Sequence, residues 1–107
     1  MKPLFHLALV LAWAGSVALA CAAGAPSPHR GLRALWRQYR EMPEVRALAI
    51  AGDPDHLWLG GATGGNASRA EAERAALAEC GRRRVLRRIQ APCRLYAVND
   101  EIVWKSW

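Results

Sequence analysis

Histidine is scarce in this chain, with three among 107 residues, and one of them lies in the apolar leader at position 6. That leaves His29 and His56, far apart in sequence, as the only imidazoles for acid–base chemistry or metal binding. A catalytic site needs a nucleophile with a base, or paired carboxylates in a cleft, and no such constellation is readable here. Lysine is missing where it would matter most. The glycine-rich run from Gly60 to Asn66 has the look of a phosphate loop, but no Lys-Ser/Thr follows to hold a terminal phosphate and its metal. Asp53, Asp55 and His56 share a turn, yet no second ligand cluster accompanies them, so they read as turn residues and not as a metal site. The expectation is a protein without catalytic residues, metal or cofactor.

Long hydrophobic runs are also lacking. The longest apolar stretch, residues 4–19, is broken by His6, Gly15 and Ser16 and is too short for a convincing transmembrane span. With Lys2 before it and Ala18-Leu19-Ala20 after it, residues 1–20 read as an export signal. Export places the remaining chain where disulfides persist. Cysteine is sparse and odd in number: Cys21, Cys80 and Cys93. Cys21 lies at the cleavage junction. Ala18-Leu19-Ala20-Cys21 loosely resembles a bacterial lipobox, with leucine two residues before the cysteine and Ala18 in the preferred leucine position. Either Cys21 becomes a lipidated first residue, or a later cut removes it. Both routes leave Cys80 and Cys93 as a pair, and a bridge between them would stabilise the domain by about 3 kcal/mol.

What the chain does contain reads as one small domain, residues 29–107, behind a flexible tether at 21–28. Ser27-Pro28 would open a helix, with Ser27 as N-cap and Pro28 at the first helical position. Leu32, Leu35, Trp36, Tyr39 and Met42 form its apolar face, Arg33, Arg37 and Arg40 a basic stripe, and Pro43 ends it. Residues 44–51 predict a strand covered on both faces, with Val45, Ala47, Ala49 and Ala51 on one side and Leu48 and Ile50 on the other. Asp53 and its neighbours turn into a second strand at 56–60, after which the glycines would release the chain toward a helix. Ser68 and Glu71 have the spacing of a capping box.

The helix that follows changes phase. Ala70, Leu77 and Cys80 share one face with Ala72 and Ala76 alongside, whereas Val85, Leu86 and Ile89 fall elsewhere. This predicts either a bend near Gly81 or a helix sandwiched between the sheet and the first helix. Pro92 stops it. Cys93, Leu95 and Ala97 then alternate with Arg94, Tyr96 and Val98 in a third strand; Asn99-Asp100 turns, and residues 101–105 return as an edge strand. The fold class is α+β: a small two-layer domain whose antiparallel-rich four-stranded sheet (ββαββ) carries one crossing helix and an extra N-terminal amphipathic helix.

Three of these segments, Ala47-Leu-Ala-Ile-Ala51, the helix Ser68-Arg-Ala-Glu-Ala-Glu-Arg-Ala-Ala-Leu-Ala-Glu-Cys80 and Ala91-Pro-Cys-Arg-Leu-Tyr-Ala-Val98, resemble a group of short exported bacterial proteins of the domain-of-unknown-function type. The resemblance spans roughly residues 45–104. It implies an exported location and the cysteine pair, and brings no activity with it. At Ile89 this chain departs from the glycine expected to close the helix.

Charge supplies the last feature. The net charge is +6, or +5 once Lys2 leaves with the signal. Arg82, Arg83, Arg84, Arg87, Arg88 and Arg94 put six arginines in thirteen residues with no acid among them. Cations at a helix C-terminus offset the helix dipole, which makes a solvated helix end the ordinary reading. The alternative is an anion-binding patch facing an acidic envelope component or a membrane surface; export argues against nucleic acid. The chain is thus expected to be a small periplasmic or envelope-attached binding or structural module, with an anion-binding and even lipid-anchored protein as the alternative.

Overall fold

A computed structural model describes residues 27–105. The expected export signal, Cys21 and residues 21–26 of the expected tether lie outside the described residues. After a 3₁₀ turn at Arg30–Leu32 come helix α1 (Arg33–Arg40), strands β1 (Ala47–Gly52) and β2 (Trp58–Thr63), helix α2 (Arg69–Arg87), and strands β3 (Cys93–Val98) and β4 (Glu101–Ile102). The four strands form one antiparallel sheet in the order β2-β1-β3-β4, with α2 crossing between its two hairpins. This is the α+β, ββαββ arrangement.

β1 lies inside the sheet and is buried from Ala47 to Ala51. Leu48 and Ile50 meet Leu32, Trp36 and Tyr39 of the N-terminal helical segment. Ala47, Ala49 and Ala51 meet Ala72, Ala76 and Cys80 of α2. Small side chains on that second face let α2 settle close to the sheet. The closest approach is at Gly61, where a Cβ would stand 2.4 Å from the Cys80 backbone nitrogen. Gly60 and Gly61 therefore belong to β2 itself and do not release the chain from it. The strand extends through the glycines to Thr63, in register with Ala47, instead of ending at residue 60.

The expected Ser27 cap does not form. The α-helix begins at Arg33, behind the 3₁₀ turn, and His29 ahead of that turn makes no side-chain cap. His29 is engaged elsewhere: its backbone N–H donates to the Tyr96 hydroxyl at 2.9 Å, and its Nδ1 lies 2.8 Å from the same oxygen. The hydroxyl thus accepts the N–H and shares a second hydrogen bond with the ring nitrogen, a pair that ties the entry of the domain to β3.

Ser68 does cap α2, accepting the Glu71 N–H at 3.2 Å, while Glu71 reaches back to the N–H of Ala67. The far end of α2 departs from expectation. The helix runs as one element through Gly81 and is not sandwiched against α1, which lies on the opposite face of the sheet. It ends well before Pro92, where Arg88 takes a left-handed conformation with φ 55°. The N–H of Ile89 then bonds the Arg84 carbonyl at 3.0 Å, and Ile89 folds back onto the alanine layer.

β3 breaks its alternation. The register with β1 shifts between Leu48 and Ala49, so Tyr96 is an extra residue opposite the pair. Tyr96 and Ala97 consequently both face the α1 layer, and Val98 joins Cys93 on the α2 side. The Tyr96 carbonyl accepts from both Val103 and Trp104 N–H groups, which cuts the ladder of β4 to Glu101 and Ile102 instead of the expected five residues. On the α2 face, Cys80 and Cys93 form the disulfide, with 6.0 Å between their Cα atoms.

Arg46, a residue with no distinguishing sequence signal, sits 6% exposed where α1, β1 and the β3–β4 turn meet. Its guanidinium donates to the Asp100 carboxylate and the Met42 carbonyl, and lies 5.5 Å from the Tyr39 ring centroid. Its backbone exchanges hydrogen bonds with Asn99, and the Tyr39 hydroxyl donates to the Asn99 carbonyl at 2.7 Å. Burial pushes the Tyr39 phenol well above its usual range.

Candidate functional site

The six arginines between residues 82 and 94 do not stand together. Arg82 and Arg83 both pair with Glu79, one turn back on α2, and these hydrogen bonds hold the Glu79 carboxyl below its usual range. Arg83 also donates to the Gly60 carbonyl at 3.2 Å, so it closes part of the free edge of β2. Arg84 donates to the carbonyls of Gln90 and Ala91, satisfying the loop behind the helix end. Arg94 is on the other face of the sheet, its guanidinium carbon 3.8 Å above the centre of the Trp104 ring. Arg87 and Arg88 differ from these four: both are exposed and neither meets an acid among the described residues.

These two cations sit at the carbonyl end of a 19-residue helix. The last carbonyls carry partial negative charge there, and part of the arginine charge offsets it. Two shallow concavities adjoin them. One, of about 500 Å³, runs between Leu35, Trp58, Arg83, Leu86 and Arg87. The other, of about 510 Å³, lies between Leu57, Trp58, Arg87, Arg88 and Ile89. Arg87 lines both, so the surface is continuous from α2 across edge strand β2. Sequence reading found the cations and missed this apolar border. The phase change after Gly81 was the available signal, because Leu86 falls off the alanine face that packs on the sheet.

A third cleft, of about 540 Å³, opens on the α1 face between His29, Asp53, Asp55, Arg94 and Trp104. Asp53 accepts the N–H of Asp55 at 2.9 Å and contacts His56 Nδ1 at 3.0 Å, and these bonds hold its carboxyl below the usual range. The three turn residues are thus engaged with one another as an Asx turn. Among the described residues no group of three or more His, Cys, Asp or Glu side chains is placed to hold a metal ion. Asn66, at the end of the glycine-rich run, uses its amide internally, donating to the Val45 carbonyl and the Thr63 hydroxyl. Among the described residues no helix is long and apolar enough to cross a membrane. Set against known proteins, the chain matches no family model, no curated protein and no solved structure.

Proposed function

We propose that this chain is an exported, non-enzymatic module of the bacterial cell envelope that binds an acidic component through the arginine end of α2. The observation that carries this reading is the exposure of Arg87 and Arg88 without acidic partners among the described residues, with Arg83 beside Arg87 in the first of the two concavities. The export reading rests on the leader and on the resemblance to short exported bacterial proteins; the Cys80–Cys93 bridge is the kind of staple a small domain keeps in an oxidising compartment. Lipidation at Cys21 would hold the module at a membrane, with residues 22–28 as its tether. The reading of a non-catalytic role is supported by how reactive groups among the described residues are used: Cys80 bridged to Cys93, His29 on Tyr96, His56 on Asp53.

The test is binding of the exported, oxidised protein to a soluble acidic polysaccharide across a salt series. Affinity is expected to fall steeply as ionic strength rises, because exposed contacts are screened over about 10 Å at 0.1 M and about 3 Å at 1 M. Arg87→Gln combined with Arg88→Gly should weaken binding about tenfold. Binding that is absent, or that ignores both salt and the double variant, would refute the proposal.

A further inference from the structure

Among the described residues three large apolar side chains stand open to solvent: Leu57 at 75%, Val85 at 72% and Leu86 at 77% exposure. Single exposed leucines are ordinary, but Leu57 and Leu86 flank the same arginine. Leu86 shares one concavity with Arg87 and Trp58; Leu57 shares the neighbouring one with Arg87, Arg88 and Trp58. Trp58, half-buried, lies between them and bridges the two. Two exposed leucines and a tryptophan bordered by guanidinium groups form a surface that is apolar in its middle and cationic at its rim.

We infer that this surface docks on an anionic lipid bilayer, with Leu57 and Leu86 entering the headgroup–acyl boundary and Arg87 and Arg88 on lipid phosphates. This rests on the anion-binding reading and deepens it by naming the partner. Charge complementarity selects the occupant. A second copy of the chain would bring Arg87 and Arg88 against their own counterparts, a like-charge juxtaposition that opposes pairing. A soluble polyanion satisfies the guanidiniums and leaves both leucines in water. A bilayer with acidic headgroups meets both needs at one plane, since arginine stems lie along apolar surface while their heads reach phosphate, and tryptophan favours that interface. Of the acids in this region, Asp53 and Asp55, in the turn before Leu57, line the separate cleft on the α1 face, and Glu79 is paired with Arg82 and Arg83.

The experiment is co-sedimentation of the oxidised protein with vesicles of phosphatidylcholine alone or mixed with phosphatidylglycerol, alongside the soluble acidic polysaccharide. The protein should partition onto the mixed vesicles and leave the neutral ones. Leu57→Ser with Leu86→Ser should weaken vesicle partition about tenfold while polysaccharide binding holds; both side chains are exposed, so the retained binding also reports an intact fold. Arg87→Gln with Arg88→Gly should weaken both. Wild-type binding to polysaccharide without binding to vesicles would overturn the bilayer inference and leave the anion-binding reading standing; loss of both would overturn both. Equal partition of the leucine variant and wild type, or equal binding to neutral vesicles, would also overturn it. So would a wild-type dimer in light scattering that the leucine variant abolishes, which would assign the face to a second copy.

Discussion

Arg46 shows how unequal the two ends of one ion pair can be. Its guanidinium is buried, whereas the Asp100 side chain facing it is 56% exposed. Removing the arginine as Arg46→Met leaves a surface carboxylate that water can solvate and that Arg40 still approaches at 3.7 Å. Removing the acid as Asp100→Ala leaves a buried cation with only the Met42 carbonyl and the Tyr39 ring, and its Nε already has no partner. The cost of an ion pair broken in a protein interior comes mainly from the charge left behind. Asp100→Ala is therefore expected to cost about 2 kcal/mol and Arg46→Met about 1 kcal/mol, below the usual figure for a fully buried pair because one member is half in water. Urea denaturation of the two variants measures both, and the reverse order would show that the pair is held from the aspartate side.

At the scale of elements, the sheet's helix–strand order, the two faces of β1, the Ser68 cap and the cysteine bridge were legible in the sequence because each rests on short-range pattern or on parity. Alternation gave the faces of β1, and the pairing of Cys80 with Cys93 followed from the odd cysteine lying at the expected cleavage junction. The errors fall where a distant contact decides. The start of the first helical segment follows His29's attachment to Tyr96, 67 residues away. Of the two glycines of β2, Gly61 answers to the backbone of α2 passing over it and Gly60 to the Leu35 side chain on the other face, and the interruption of β3 answers to an extra residue at Tyr96. The candidate site was legible in part: the arginines stood out by number, but which of them the fold employs internally depended on carbonyls at Gly60, Gln90 and Ala91. The helix end supplies a prediction at this scale. Arg88 adopts a left-handed conformation that favours glycine, so Arg88→Gly should stabilise the domain by about 1 kcal/mol, seen as a higher midpoint in thermal or urea unfolding. A destabilised variant would mean that the Arg88 side chain contributes more to the folded state than its conformation costs.

For the molecule as a whole, alkaline pH tests the packing of the aromatic layer. The chain has two tyrosines, and both are buried in the layer between α1 and the sheet. Burial, the largest influence on each, raises both phenols above their ordinary value. The folded state then keeps protons that the unfolded chain releases near pH 10, so this contribution is complete below about pH 10 and declines above it. Tyrosinate absorbance is expected to appear together with loss of the far-ultraviolet circular dichroism signal; a phenol titration centred near pH 10 with the fold intact would contradict the buried layer. The bridge on the opposite face has a different consequence. Cys93 reaches Cys80 only because β3 lies on β1 with Cys93 opposite Ala51 and turned toward α2. A slip of one residue would turn Cys93 to the other face. A slip of two would displace it by roughly 6.6 Å along the strand, beyond the span of a disulfide. Oxidation thus acts as a proofreader of strand threading: a chain with β3 misplaced keeps two free thiols, and the chemistry that closes the bridge tells the correctly assembled protein from the rest.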